Sequence, residues 1–252
     1  MVGYREVLRF VSDRARMVSS FMMPLLFLAI FGAGFTRTIG PLAPGVNYIQ
    51  FMYPGIIAMT VLTNSLFTGI SVVADREFGF LKEILVAPIG RSGVVVGKAV
   101  GGGGVALLQA LVMLVLAPIL GVHLTPALVL SLIPIVIILS LGLSALGILI
   151  ASFMQTQQGF QLLVQVLIFP LIFLAGVFFP VNNVPAWMEA ISKVNPLTYG
   201  VDAIRQVFLG HSVGLGVTLF GYTMTMAAEV ALIAGLATVL LAGAVEAFSR
   251  QE

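Results

Sequence analysis

The stretch ADREFGFLKEILVAPIGRSGVVVGK, residues 74–98, is a charged segment in a chain that is otherwise nearly all apolar. Long uncharged stretches flank it on both sides. The pattern predicts a short polar segment between two membrane spans. A protein outside the membrane can bind this segment. Seven charged residues lie in it: Asp75, Arg76, Glu77, Lys82, Glu83, Arg91 and Lys98.

The composition requires lipid as the solvent. Of the 252 residues, 60% are hydrophobic and 9% are charged, whereas about 25% of a soluble domain is charged. The net charge of +2 gives no case for nucleic-acid binding. The absence of cysteine excludes disulfides and thiolate chemistry, and two histidines argue against a histidine-rich metal site.

Six stretches meet the requirement of about 20 mostly apolar residues for a membrane span. Nine of the 12 Lys and Arg residues lie on the side that carries both termini and the charged segment. Because the cytoplasmic loops of membrane proteins carry an excess of Lys and Arg, both termini and the charged segment are predicted to be cytoplasmic. We therefore expect an all-α membrane protein with spans at Met17–Phe35, Tyr48–Ala74, Val94–Gly121, Leu128–Phe153, Phe160–Phe179 and Val217–Phe248.

The N-terminal segment, residues 1–16, has its own pattern. Apolar residues recur at helical spacing from Tyr4, and Arg5, Arg9 and Arg16 occupy the opposite face. This pattern predicts an amphipathic helix on the cytoplasmic surface. A positively charged segment that only sets the orientation of the first span is a compatible alternative.

Residues 180–211 predict a short helical hairpin that dips into the outer leaflet. Val184–Lys193 and Leu197–Leu209 have amphipathic patterns. Asn195 followed by Pro196 is a typical helix start. Further candidate residues here are Trp187 and Tyr199 for the membrane interface, and Asp202 and Arg205 as a pair three residues apart.

No catalytic site is apparent, because Ser, Asp and His are too sparse for a triad and no span holds a close carboxylate pair. Residues 92–99, SGVVVGKA, depart from the phosphate-binding loop at both its first Gly and its final Ser or Thr. We predict that the chain is not an enzyme and that any energy from ATP comes from a partner.

Within the charged segment, Phe78, Leu81 and Leu85 fall on one helical face, and Ala87-Pro88 ends the helix. A purely solvated loop is the alternative, but such a loop needs no apolar stripe. The stripe favours docking to a protein.

Two motifs carry a family resemblance. The pattern D-R-E-x-G-x-L-x-x-x-x-V-A-P-I-x-R, which starts at Asp75 and leads to Gly97-Lys98, resembles type-2 ABC exporter permeases. So does F-F-P-V-x-x-V-P-x-W-M, from Phe178, with the following N-P-L-T-Y-x-V-D-A-I-R. The resemblance is greatest to daunorubicin-resistance and nodulation-factor export permeases, and it covers essentially the whole chain as one domain, 1–252.

The resemblance implies a permease dimer in the plasma (inner) membrane of a prokaryote, surrounded by lipid. We expect a homodimer, and a pair with a second, related permease is the alternative. Each copy contacts a separate ABC ATPase that binds ATP and Mg. Residues 75–92 become the coupling helix, 1–16 the connecting helix and 180–211 the cap of the exit. The predicted ATPase-coupling residues are Glu77, Phe78, Leu81, Lys82, Glu83, Leu85 and Arg91.

Each polar residue in the predicted spans has two possible roles. Thr63-Asn64-Ser65-Leu66-Phe67 is similar to T-N-x-x-F in drug exporters of the G subfamily, which places Asn64 and Phe67 at the central cavity. The alternative is that Asn64 bonds a neighbouring helix. Gln161 and Gln165 either line a vestibule or bond at the interface, and the second reading is favoured. Glu229 either attracts cationic substrates or accepts hydrogen bonds from the hairpin, and again the second is favoured.

We expect an exporter of a hydrophobic drug-like or lipid-linked substrate, because the cavity candidates are apolar. An exporter of a polysaccharide or glycolipid is the alternative. A gradient-driven secondary transporter is a further alternative, but the sequence lacks the internal repeat that such proteins often show.

Overall fold

The computed structural model describes residues 12, 14–39, 46–79, 91–120, 124–181, 184–210, 217–219 and 222–250. Nearly all of the described chain is helical. The helices are α1 (Arg14–Ile39), α2 (Tyr48–Phe67), α3 (Ile70–Glu77), α4 (Arg91–Leu116), α5 (Pro126–Ser152), α6 (Gln157–Phe173), α7 (Ala186–Val194), α8 (Pro196–Leu209) and α9 (Met226–Ser249). A 3₁₀ turn, Ala117–Leu120, follows α4, and strands β1 (Thr218–Leu219) and β2 (Tyr222–Thr223) precede α9.

Five helical segments in the described part of the chain are long and apolar enough to cross a membrane: Val18–Phe35, Tyr48–Glu77, Ser92–Ile119, Pro126–Ser152 and Met226–Ser249. Each overlaps one of the predicted spans. The remaining predicted span corresponds to α6, an apolar helix of 17 residues. The protein is a multi-pass membrane protein, and the count of six spans stays a prediction.

Side-chain caps fix where four of the long helices begin. Asn47 accepts a hydrogen bond from the backbone N–H of Gln50, and the Gln50 side chain accepts the N–H of Asn47 in return. Such a cap stabilises a helix start by typically about 1 kcal/mol, because the first N–H groups have no partner within the helix. Threonine oxygens do the same for α5, α6 and α9, at Thr125, Thr156 and Thr225.

Helix α5 lies at the centre of the fold and packs against α2, α4, α8 and α9. Small residues allow the closest approaches. A Cβ atom on Gly147 would lie 2.3 Å from the carbonyl oxygen of Leu66, and one on Gly69 would lie 2.3 Å from the carbonyl oxygen of Gly147. The backbones of α5 and the α2–α3 junction are therefore in direct contact, as small residues permit in membranes.

The second predicted span is interrupted rather than continuous. Helix α2 ends at Phe67, and α3 begins at Ile70 and continues to Glu77, beyond the predicted end at Ala74. The junction packs against α4 as well, since a Cβ atom on Gly102 would lie 1.9 Å from Oγ1 of Thr68. Helices α4 and α5 thus both pack against the junction of α2 and α3.

The prediction for the sixth span was wrong at its start. Residues 218–219 and 222–223 form a short antiparallel β pair, in which Thr218 faces Thr223, and the helix begins only at Met226. The backbone N–H of Val217 donates to Asp202 and its carbonyl accepts from Met224 N–H, so these apolar residues satisfy their backbone groups without a helix. The all-α prediction needs this small correction.

Other helix boundaries in the structure also differ from the predicted ones. The fifth stretch does not run to Phe179, because α6 ends at Phe173 and Gly176 takes a positive φ of 77° in the turn that follows. Helix α1 begins at Arg14, and the rest of the predicted surface helix, 1–16, lies outside the described residues except for Ser12. Of the predicted coupling helix, 75–92, the first three residues end α3 and the last two begin α4, while residues 80–90 lie outside the described part.

Candidate functional site

An apolar groove of about 250 Å³ runs between α1, α2 and α6. Its polar groups are few: hydroxyl groups from α1 and α2 and the amides of Asn64 and Gln165. The groove can therefore receive a mostly apolar molecule and orient it by a small number of hydrogen bonds. Its lining residues are Ser19, Ser20, Met23, Pro24, Phe27, Met59, Thr60, Thr63, Asn64, Phe67, Gln165, Ile168, Phe169, Ile172 and Phe173.

Asn64 and Phe67, the two cavity candidates of the sequence, both line this groove. The Nδ2 group of Asn64 donates to the carbonyl oxygen of Thr60, 2.9 Å away, so its hydrogen bond stays within α2. The alternative of a bond to a neighbouring helix is not what the structure shows. Gln165 reaches the groove as well, whereas Gln161 is an exposed residue of α6 that does not line it.

The aromatic side of the groove was missed in the sequence. Phe169 and Phe173 stack on each other with ring centroids 5.7 Å apart, and both line the groove from α6. Phe27 lines it from α1 and lies 5.6 Å, centroid to centroid, from Phe178. The spacing of four residues between Phe169 and Phe173 was the available signal, since it places both rings on one helical face.

Arg205 joins the hairpin helix α8 to the rest of the fold. It is only 5% exposed. Its guanidinium group donates to the carbonyl oxygens of Gly176, at 2.6 Å, and Phe51, at 3.3 Å. Burial lowers the pKa of Arg205 to about 10, against the opposing effect of Asp202 and Glu229. The side chain is therefore still a cation at pH 7.

The predicted Asp202–Arg205 ion pair is wrong. Among the described residues the ion pairs are Lys98–Asp75, Lys193–Glu189 and Arg250–Glu246. Asp202 instead accepts the backbone N–H of Val217 at 2.6 Å. The local spacing suggested a pair, but Arg205 donates to the backbone carbonyls of Phe51 and Gly176, and Asp202 accepts from the Val217 N–H and from Nε2 of Gln206.

Glu229 is fully buried near the start of α9 and contacts the hairpin through Gln206. The Nε2 group of Gln206 donates to Oε2 of Glu229 at 3.1 Å, and to the carbonyl oxygen of Met224 at 3.3 Å. This geometry agrees with hydrogen bonding from the hairpin. The structural role of Glu229 stays a prediction.

The other hairpin residues fix the turn between α7 and α8. Asn195 caps α8 by accepting the N–H of Leu197, and its Nδ2 group donates to the carbonyl oxygen of Leu171 at 2.8 Å. Pro196 is the first residue of α8. The hydroxyl of Tyr199 donates to the carbonyl oxygen of Lys193, and burial, with a smaller effect from Glu229, raises the pKa of Tyr199. Trp187 is exposed on α7.

The predicted coupling residues fall at the edge of the described chain. Glu77 is the last residue of α3, and its carboxylate accepts hydrogen bonds from Gln157 at the start of α6. Phe78 follows and is 69% exposed. Arg91 begins α4. The remaining predicted coupling residues, Leu81, Lys82, Glu83 and Leu85, lie outside the described residues.

The fold and the groove define a multi-pass helical membrane protein with an apolar groove between three of its helices. Residues 1–209 match the ABC-2 type transporter family. The chain belongs to this family of transport permeases.

Named relatives agree with this assignment. The transport permease named ycf38 of Cyanophora paradoxa is 33% identical over 198 residues, covering 76% of this chain and 67% of that protein. The inner membrane transport permease YadH of Escherichia coli is 31% identical over 207 residues, with 78% and 76% covered. The probable multidrug ABC transporter permease YbhR of Escherichia coli is 34% identical over 168 residues, with 66% and 45% covered.

Proposed function

We propose that this chain is the membrane-spanning permease subunit of an ATP-driven exporter that moves a hydrophobic drug-like or lipid-linked substrate out of the cytoplasm or inner leaflet. The groove between α1, α2 and α6 is the observation that carries the proposal. Membership of the ABC-2 family and the name of YbhR support it. The few polar groups of the groove favour an apolar substrate over a glycan.

In the proposed arrangement, α6 is the fifth of six spans, α9 is the sixth, and both termini are cytoplasmic. Two copies form a homodimer with the two grooves facing the shared interface. Residues 80–90, with Phe78 beside them, dock on a separate ATPase that binds ATP and Mg. ATP binding then shifts the population between inward- and outward-facing states of the dimer.

The test is co-purification of the tagged chain in mild detergent, followed by an ATPase assay. We expect a nucleotide-binding subunit to come with the chain. A triple variant in which Ser replaces Phe78, Leu81 and Leu85 should lose that subunit, while the permease still inserts into the membrane. The matched control is Ile119→Ser with Val194→Ser, two exposed apolar residues that the charge bias puts on the opposite side of the membrane. A chain that transports without any such subunit would contradict the proposal.

Substrate choice is tested with daunorubicin as the probe, because its fluorescence reports movement across a vesicle membrane. We expect ATP-dependent accumulation in inverted vesicles that contain the complex. A complex whose ATPase activity responds to undecaprenyl-linked glycans and not to daunorubicin would favour the glycolipid alternative.

A further inference from the structure

Arg76, near the end of α3, contacts the end of α5. Its Nη1 group donates to the carbonyl oxygen of Met154 at 2.8 Å, and its Nη2 group donates to the carbonyl oxygen of Ser152 at 3.1 Å. Ser152 is the last residue of α5. The last carbonyls of a helix have no partner within it and carry partial negative charge, so a guanidinium group is well placed there.

Glu77, the next residue, contacts the start of α6. Its Oε2 atom accepts the backbone N–H and the side-chain Nε2 group of Gln157, both at 3.1 Å. Gln157 is the first residue of α6. The first N–H groups of a helix carry partial positive charge, which a carboxylate stabilises. Each of the two charges thus lies at the helix end of opposite sign.

We propose that Arg76 and Glu77 form a clamp that fixes the α5–α6 turn to the end of α3, so that a displacement of α3 is passed to α6. The inference rests on the proposed function, and it changes the role of Glu77 from an ATPase contact to a positioning residue. The clamp joins residues about 80 positions apart in the chain.

The clamp acts on the wall of the groove. Gln165 and Phe169 line the groove and lie eight and twelve residues beyond Gln157 on the same helix. At 1.5 Å per residue, they are about 12 and 18 Å along the axis from the clamp. A helix held at its first turn tilts as a unit, so a displacement at Gln157 repositions the groove lining.

The residues on either side of Arg76 and Glu77 have different surroundings. Asp75, the preceding residue, binds Lys98 of α4 at 2.7 Å and so holds a different helix. Phe78, the following residue, is mostly exposed and free to contact a partner. Residues 75–78 therefore divide into inward contacts to α4, α5 and α6 and an outward-facing aromatic ring.

The first experiment is hydrogen–deuterium exchange on the complete permease in lipid nanodiscs, which needs no ATPase. We compare Glu77→Gln, Arg76→Gln and the exchanged pair Arg76→Glu with Glu77→Arg. Glu77→Gln and the exchanged pair should raise amide exchange in residues 157–160 about fivefold, because the charge that stabilises the start of α6 is lost or reversed. Arg76→Gln should raise exchange at the end of α5, in residues 152–154, because Arg76 binds the carbonyls there. The control is Glu246→Gln with Arg250→Gln, an exposed ion pair within α9. Unchanged exchange in all three variants would overturn the clamp. If the exchanged pair does not fold, Glu77→Gln alone decides.

The second experiment separates positioning from simple structural support. The chain has no cysteine, so Leu162→Cys on the exposed face of α6 takes a single fluorophore. In the complex with its ATPase, ATP should change the fluorescence, and Glu77→Gln should abolish that change while the ATPase still co-purifies and hydrolyses ATP. Loss of the ATPase from Glu77→Gln would make Glu77 a docking contact and overturn the inference. If no ATPase joins the unmutated chain, the proposed function fails, and the exchange experiment still decides the clamp.

Discussion

The guanidinium carbon of Arg205 lies 3.9 Å from the centroid of the Phe51 ring. The same side chain donates to the Phe51 carbonyl oxygen, so both the ring and the backbone of one α2 residue hold it. A buried cation is costly unless hydrogen bonds and a polarisable surface replace water. Arg205 has both, and it therefore links the hairpin helix α8 to α2.

Arg205→Met should destabilise the protein by on the order of 2 kcal/mol, since the carbonyls of Phe51 and Gly176 lose their donor while buried. Arg205→Lys should recover little of this loss, because an ammonium group cannot donate to both carbonyls and stack on the ring. Thermal unfolding in detergent measures the change. Lys193→Met is the control, because its ion pair with Glu189 is partly exposed. An equal loss for Lys193→Met would contradict the assignment.

Gly147→Ala should destabilise the fold by about 1–3 kcal/mol through overpacking. The added Cβ atom would lie 2.3 Å from the carbonyl oxygen of Leu66, which is backbone and cannot turn away. Gly235→Ala is the matched control on α9, where a Cβ atom meets nothing within 4 Å. That substitution should be neutral or stabilising, because Ala favours a helix over Gly by roughly 1 kcal/mol. Equal unfolding temperatures for the two variants would show that the α2–α5 contact is looser than the structure indicates.

Much of the helical framework could be predicted from the sequence, because lipid requires long apolar helices and leaves few alternatives. Helix starts were also visible in part, since Asn195 precedes Pro196 as a cap should. The start of α9 was not predictable in this way. The backbone N–H of Val217 binds the distant carboxylate of Asp202, and no local pattern in the sequence predicts that contact.

The site was predictable to a smaller extent. The family resemblance predicted that Asn64 and Phe67 lie at a cavity, and both line the groove. The aromatic residues of α6 were not selected, since a pair of Phe residues four apart is common in any membrane helix. The partner of Glu77 could not be inferred, because Gln157 is 80 residues away and no local pattern records that contact.

Phe173→Ala should weaken daunorubicin transport, with a rise of several-fold in the concentration that gives half-maximal rate. Removing an aromatic ring from an apolar pocket costs on the order of 1–3 kcal/mol of binding, which is roughly 5- to 150-fold in affinity. Transport into inverted vesicles as a function of daunorubicin concentration measures the effect. Val166→Ala, on the exposed face of α6 and outside the groove, is the control. Equal effects of both substitutions would place the substrate elsewhere.

Asp75→Asn should destabilise the protein by on the order of 2–3 kcal/mol, because it leaves the amine of Lys98 without a counter-ion. The side chain of Lys98 is 8% exposed and that of Asp75 is 28% exposed, so the remaining charge has little water to replace its partner. The Oγ atom of Ser71 also accepts from Lys98, at 2.9 Å, which limits the loss.

The double variant Asp75→Asn with Lys98→Met should recover most of that stability, since the unpaired buried charge is then gone. Glu246→Gln serves as the control for loss of an ion pair, because its pair with Arg250 is largely exposed and such pairs contribute about 0–1 kcal/mol. Unfolding temperatures of the unmutated protein, the single variants Asp75→Asn and Lys98→Met, and the double variant give the coupling between Asp75 and Lys98 directly. Additive effects of the two substitutions would mean that the ion pair contributes nothing to the stability of the α3–α4 contact.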